Sequence, residues 1–100
     1  MTDKYLTNYD EFLAKFGLDA QINIAIEEMS ELTKELCKFN RFKNNKAKVE
    51  DIEEDIKEEI ADVLNMVEQL EYYFGKDEIE KIRQEKINRT IDRMTKGGIN

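Results

Sequence analysis

The chain has 100 residues and a net charge of −7, with 16 Lys and Arg against 23 Asp and Glu. This balance disfavours a nucleic-acid polymer as partner, because binding a phosphate backbone needs a broad basic surface, but a metal ion could neutralise a small phosphorylated ligand. The sequence lacks His, so any metal site must use oxygen ligands, which favours Mg²⁺, Mn²⁺ or Ca²⁺.

The first half of the chain predicts two helices. The first is expected from about Asn8, a residue type that caps helices, to Phe16, with Gly17 ending it. The second is expected from near Asp19 to about Arg41. A basic, Asn-containing connection at residues 42–46 follows it.

The second half predicts two more helices and completes the fold class. One long helix is expected from about Lys48 to Phe74 and ends before Gly75. The last begins near Asp77, another capping type, and fades at residues 97–98. No segment alternates with the period of a strand. The chain is therefore predicted to be a single all-α domain over residues 1–100, a four-helix bundle-like fold with a central antiparallel hairpin.

A soluble, cytoplasmic protein without a membrane partner is also expected. The N-terminal residues show no basic region followed by an apolar run. No stretch approaches the roughly 18 apolar residues of a membrane span. A chain this short buries a limited core, so self-association is expected as well.

The second helix carries an acidic stripe beside its apolar arc. At 100° per residue, Glu28, Glu31 and Glu35 share one direction. Glu27, Lys34 and Lys38 lie further round and are expected to face solvent. Cys37 is predicted to be a small core residue. The apolar arc comprises Ile22, Ala25, Ile26, Met29, Leu32, Leu36 and Cys37.

The third helix places acids on its apolar side. Glu59 points into the apolar stripe, and Asp55 and Asp62 lie at its edge. The stripe comprises Val49, Ile52, Ile56, Ile60, Val63, Met66, Val67, Leu70 and Phe74. The other acids of this helix are expected to be solvated, namely Glu53, Glu54, Glu58, Glu68 and Glu71.

Four carboxylates on facing sides of two helices require a cation. Burying an unpaired charge is costly, and neither stripe contains a Lys or Arg. A divalent ion bound by oxygen is the economical solution. The competing interpretation is a solvated acidic face on a non-enzymatic helical interaction protein. A di-iron bundle is disfavoured because its E-x-x-H motifs need His.

Two segments resemble a known family. Residues 25–32, AIEEMSEL, followed by residues 58–64, EEIADVL, look like the EExxE…ExxD signature of MazG-like, all-α nucleoside triphosphate pyrophosphohydrolases. The similarity covers about residues 20 to 95. The resemblance implies that Glu28, Glu31, Glu59 and Asp62 hold Mg²⁺, or Mn²⁺, and carry catalysis. Glu27 fills the first position of the signature, with a supporting role behind the ligands.

The same resemblance implies a reaction and an assembly state. A nucleoside triphosphate would be cleaved to the monophosphate and pyrophosphate by metal-assisted attack of water. The family assembles as dimers or tetramers, so a homodimer or homotetramer is expected. Related phosphoribosyl-ATP pyrophosphohydrolases and dimeric dUTPase-like enzymes share this use of acids. The sequence leaves base and sugar specificity open.

Basic residues are candidates for contacts with the substrate phosphates. Lys86, Arg89 and Arg93 share one face of the fourth helix. The turn between the second and third helices offers Lys43 and Lys46, together with Arg41 and Lys48. Asn65, three residues after Asp62, is a candidate contact for the nucleoside.

Overall fold

The computed structural model describes residues 9–97, and the predicted capping role of Asn8 lies outside them. Within this span the chain forms four α-helices and no strand, so the all-α prediction is confirmed. No helix in the same span has an apolar stretch long enough to cross a bilayer. The helices are α1 (Tyr9–Phe16), α2 (Leu18–Phe42), α3 (Lys46–Phe74) and α4 (Lys76–Thr95).

Single glycines join α1 to α2 and α3 to α4. Gly17 has φ 83° and Gly75 has φ 117°, values that L-residues with a Cβ rarely adopt. The Gly75 N–H closes α3 on the Glu71 carbonyl at 2.9 Å, and its carbonyl accepts the Ile79 N–H at 3.1 Å. Because glycine both ends one helix and starts the next, the expected cap at Asp77 is wrong. Asp77 lies in the first turn of α4, where its negative charge interacts favourably with the helix dipole.

A side-chain cap starts α3. The Asn45 Oδ1 accepts the Ala47 N–H at 3.0 Å, and the Asn45 carbonyl accepts the Val49 N–H at 2.9 Å. These bonds satisfy N–H groups that the first turn of a helix otherwise leaves unpaired. The helix therefore begins at Lys46, two residues before the predicted start.

The chain divides into two compact units, one ending at Leu70 and one beginning at Glu71. The first unit has a small core in which apolar Ala25, Ile52 and Met66 are buried. Three polar side chains are also buried in this unit, namely Gln21, Glu35 and Gln69. Among the described residues of the second unit, none is buried. Glu71 was predicted to be solvated but is half-buried, with a hydrogen bond to Glu80.

The buried face of α2 is its acidic edge rather than the centre of its apolar arc. Its buried residues are Gln21, Ala25 and Glu35, whereas Ile26 is 54% exposed. The prediction that Cys37 belongs to the core is wrong, because its thiol is exposed. Cys37 lies at the outer limit of the apolar arc, furthest in direction from the acidic stripe. The side of the arc that lies away from the acidic stripe is therefore open to solvent.

The apolar stripe of α3 is also only partly covered. Ile52 and Met66 are buried, and Ile56 and Val63 are half-buried. Three members of the stripe are exposed, namely Ile60, Val67 and Phe74. Both long helices thus present apolar side chains to solvent beside the small core.

Candidate metal centre

Three carboxylates from two helices come together in the first unit. One oxygen each from Glu28 on α2 and from Glu59 and Asp62 on α3 lie within 4.8 Å of one another. Glu28 and Glu59 are half-buried, and Asp62 is exposed. The i,i+3 spacing places Glu59 and Asp62 on one face of α3. The structure thus brings three of the four acids expected to bind a metal close together.

Glu59 lies at the centre of this acidic site. Its Oε1 atom is buried and has no hydrogen-bond partner. Burial raises the pKa of Glu59 above its ordinary value of 4.5, and the charges of Glu28, Asp62, Glu31 and Glu35 raise it further, in that order. A nearby cation would stabilise the ionised form of this carboxylate.

Within residues 9–97, no salt bridge joins a basic side chain to the three-residue group. The salt bridges formed within residues 9–97 join Glu35 to Lys38, Glu54 to Lys57, Glu80 to Arg83 and Asp92 to Lys96. None of these pairs includes Glu28, Glu59 or Asp62. No Lys or Arg in the described part of the chain therefore forms a salt bridge with these three acids.

The donor set fits a hard divalent cation. All available atoms are carboxylate oxygens, which Mg²⁺, Mn²⁺ and Ca²⁺ accept. Mg²⁺ binds oxygen at about 2.1 Å, so opposite ligands lie about 4.2 Å apart. Adjacent ligands lie about 3 Å apart, and at most one pair among three ligands can be opposite. Oxygens within 4.8 Å of one another therefore reach this geometry with side-chain shifts of up to about 2 Å.

The other two acids of the signature lie outside this group. Glu31 is exposed and acts on Glu59 through its charge. Its oxygens do not belong to the group within 4.8 Å. Glu27 is exposed on α2, and within residues 9–97 no hydrogen bond or ion pair joins it to the acidic site. The supporting role predicted for Glu27 stays a prediction.

The acidic site has a neighbour to which the sequence assigned no role. Glu35 is only 8% exposed, and its Oε1 atom is buried without a hydrogen-bond partner. Its Oε2 atom accepts a hydrogen bond from the Lys38 Nζ at 3.4 Å. Lys38 was expected to face solvent but is half-buried. The helical wheel places Glu35 in the same direction as Glu28 and Glu31. It does not show how deeply each side chain is buried.

Two cationic side chains lie over the ring of Phe42 near the turn between α2 and α3. The Lys48 Nζ lies 4.3 Å from the centre of the Phe42 ring, and the Arg41 guanidinium carbon lies 5.6 Å from it. Lys43 and Lys46 are exposed. Within the described span no ion pair or hydrogen bond of Lys43 or Lys46 leads to the acidic site.

The basic residues predicted on α4 come together in the second unit. Lys86, Arg89, Thr90 and Arg93 lie next to one another along one exposed face of α4. This confirms that the three basic residues share a face of the helix. Asn65 is exposed on α3. Its predicted contact with the nucleoside stays a prediction.

Comparisons with known proteins add no relative. No protein-family model matches the chain, and no curated protein or solved structure matches it significantly. The likeness to MazG-like enzymes therefore rests on the two short acidic segments quoted above.

Proposed function

We propose that the chain is a Mg²⁺-dependent nucleoside triphosphate pyrophosphohydrolase that acts on the cytoplasmic nucleotide pool and not on a nucleic-acid polymer. The observation that carries this proposal is the convergence of Glu28, Glu59 and Asp62 within 4.8 Å. The buried, unpartnered Oε1 atom of Glu59 supports it. The proposal also rests on the resemblance to the MazG-like signature.

The proposed architecture is a hairpin of α2 and α3 within a bundle-like domain. Gln21 and Gln69 line one cavity, and Leu36 and Ile56 line another. As the position on α2 advances from 21 to 36, its partner on α3 falls from 69 to 56. Glu28 and Asp62 fit between these two pairs. This order supports an antiparallel arrangement of the two helices.

Glu28, Glu31, Glu59 and Asp62 would hold Mg²⁺, with Mn²⁺ as a substitute and Glu27 in support. When bound, Mg²⁺ supplies Lewis acidity and neutralises charge that develops on the phosphates. The carboxylates of the site orient a water molecule and accept its proton, so His is not required. The water oxygen bonds to the α phosphorus as the bond to the bridging oxygen breaks. The products are a nucleoside monophosphate and pyrophosphate.

Basic and amide side chains would bind the rest of the substrate. We assign the phosphates to Lys43 and Lys46 at the turn, and the phosphate contacts expected of Lys86, Arg89 and Arg93 stay a prediction. Arg guanidinium groups suit this role because they bind phosphate oxygens in pairs. Asn65 would contact the nucleoside through its amide.

The exposed apolar side chains support a homodimer or homotetramer. Ile26, Met29 and Leu64 are 54%, 43% and 58% exposed. Such exposure is typical of a surface that a partner covers. It also favours the second candidate function, a non-enzymatic helical interaction protein. The two proposals differ in whether the acidic site binds a divalent ion.

A panel of nucleoside triphosphates with Mg²⁺ tests the enzyme proposal. We expect release of pyrophosphate and monophosphate, but not of orthophosphate, from at least one of them. Adding EDTA should stop the release, and Mn²⁺ should restore it. If no triphosphate in the panel yields pyrophosphate, or if EDTA has no effect, the proposed function is wrong.

A further inference from the structure

One cavity of the first unit combines aromatic and amide side chains. It is open to solvent and has a volume of about 220 Å³. A cavity of about 150 Å³ is enough to admit benzene, whereas drug-sized ligands occupy about 300 Å³ or more. This amide cavity therefore has the size of a single aromatic ring system. Its lining comprises Phe12, Phe16, Gln21, Ile24 and Gln69.

Gln69 is buried in the wall of the amide cavity with its hydrogen bonding incomplete. It is 7% exposed, and its Oε1 atom is buried without a hydrogen-bond partner. Its Nε2 group donates to the Met66 Sδ atom at 3.7 Å, and a thioether sulfur is a weak acceptor. A buried amide oxygen without a donor is unfavourable. Because the terminal torsion of glutamine is soft, the amide can rotate to turn this oxygen toward a ligand N–H group in the cavity.

The aromatic wall of the amide cavity suits a flat ring. Phe12 and Phe16 come from α1 and are 37% and 53% exposed. The Lys15 Nζ lies 5.7 Å from the centre of the Phe16 ring, so we assign the stacking of a ligand to Phe12. Nucleobases stack on aromatic side chains because every base has a π face. Their edges also carry N–H groups, which an amide oxygen accepts.

The amide cavity lies on the same helical faces as the acidic site. Gln21 precedes Glu28 by seven residues on α2, and Gln69 follows Asp62 by seven residues on α3. Seven residues make about two turns, which return to nearly the same direction after a rise of about 10 Å. Glu28 and Asp62 meet at the acidic site, and Gln21 and Gln69 meet at the amide cavity. The separation is close to the length of an extended nucleoside 5′-phosphate.

We propose that the amide cavity binds the base of a nucleotide whose α phosphate lies at the acidic site. The base stacks on Phe12 and donates an N–H hydrogen bond to the Oε1 atom of Gln69. Asn65 lies between Asp62 and Gln69 along α3, so its proposed nucleoside contact falls on the sugar. The inference rests on the proposed function for the position of the phosphates, but binding of the base does not depend on hydrolysis.

The competing explanation is structural, with a water molecule bonded to Gln69 and no organic ligand in the cavity. It predicts no nucleoside binding, whereas a base site predicts saturable binding that Gln69→Leu abolishes. This change removes a buried oxygen without a partner, so the melting temperature should stay the same or rise. Gln84 provides a matched control, since it is exposed on α4 and its Nε2 group donates to the Asn88 Oδ1 atom at 3.0 Å.

Titration of the ¹⁵N-labelled chain with free nucleosides in EDTA tests the proposal without phosphates or metal. At least one of adenosine, guanosine, cytidine and uridine should shift the amide resonances of Gln21 and Gln69 in a saturable way. The best of them should bind at least about tenfold more tightly than an analogue without the N–H donor, such as purine riboside for adenosine or 3-methyluridine for uridine. Gln69→Leu should abolish binding, and Phe12→Leu should weaken it at least about fivefold. Gln84→Leu should behave as the wild type.

Three outcomes overturn the inference. They are no saturable shift with any nucleoside, equal affinity for the analogue without the N–H donor, and unchanged binding in a folded Gln69→Leu. Circular dichroism checks the fold of each variant, and the comparison of ligands needs only the wild type. Triphosphate hydrolysis is measured separately. Nucleoside binding that depends on Gln69, without hydrolysis of any triphosphate, refutes the function and keeps the base site. Hydrolysis without nucleoside binding does the reverse.

Discussion

Two faces of α3 carry an acid with a charged residue three positions later, but the surroundings of the two faces differ. On the outer face, Glu54 is exposed and bonded to Lys57 at 2.9 Å. On the face toward α2, Glu59 has a buried oxygen without a partner and shares its surroundings with Glu28 and Asp62. Acidic composition alone does not separate the two faces. The difference is that, among the described residues, no salt bridge joins Lys or Arg to the three acids of the inner face.

The difference in surroundings predicts a difference in energy. Exposed ion pairs contribute about 0–1 kcal/mol, because water already solvates both charges. The inner acids lose solvation and gain repulsion, and both effects raise the pKa of Glu59. A face that destabilises the ion-free protein is expected where the acids serve ligand binding.

The largest expected effect comes from removing the central acid. Glu59→Ala should lower kcat for pyrophosphate release by more than about 100-fold, because even the loss of a group behind a metal ligand costs 10–100-fold. The ion-free protein should unfold at the same temperature or higher, since a buried unpartnered carboxylate is gone. Glu54→Ala is the control and should keep its activity. Full turnover in Glu59→Ala would refute the assignment.

Mg²⁺ should stabilise the wild-type fold. An ion that binds only the native state at about 100 times its Kd adds about 2.7 kcal/mol. For a domain of this size, each kcal/mol raises the melting temperature by about 4–8 °C. Thermal melting with millimolar Mg²⁺ and with EDTA measures this shift. Its absence from the wild type would favour the interaction protein, and its persistence in Glu59→Gln would place the ion elsewhere.

The pH dependence of stability should have a definite sign. Because the pKa of Glu59 is raised in the folded state, the native chain binds its proton more tightly than the unfolded chain. Without metal, the contribution of Glu59 to the free energy of unfolding is therefore highest below pH 4.5. It falls as the pH rises through the raised pKa.

Urea denaturation between pH 4 and pH 7 in EDTA measures this slope. Glu59→Gln should flatten it, whereas Glu54→Gln should not. Glu71, whose pKa is raised by burial and by its bond to Glu80, contributes the same sign in both variants. Equal slopes in the wild type and Glu59→Gln would show that Glu59 is solvated.

The smallest effect is expected on the outer face. Glu54→Gln should change the free energy of unfolding by less than about 0.5 kcal/mol, because its side chain is 64% exposed. It should also leave the Mg²⁺ shift intact. A loss of more than about 1 kcal/mol would mean that the charges on the outer face are not fully solvated.

Periodicity and glycine positions were sufficient to predict the helices. Four helices were expected and four are described, and Gly17 and Gly75 stand at two of the junctions. The starts were predicted less well, because a glycine with positive φ can also begin a helix without a side-chain cap. The cap at Asn45 depends on the local path of the backbone, which composition does not reveal.

The helical wheel predicts the direction in which each acid points from its helix, but not how deeply its side chain is buried. Placing residues at 100° per position put Glu59 on the inner side, and its buried oxygen agrees. The same wheel could not show that Glu35 is buried while Glu31 is exposed. It also put Cys37 in the core, because it assumes that the apolar arc is the covered face. On α2 the acidic edge is covered instead, and this depends on the partner helix.

A double-mutant cycle between Glu28 and Glu59 tests the central claim most directly. The claim is that one ion joins acids of two helices, so Mn²⁺ affinity is measured for Glu28→Gln, Glu59→Gln and the pair. Each single change should weaken binding at least about tenfold, and the double change should cost far less than the product of the two. Affinities that multiply independently, or that do not change, would contradict the account.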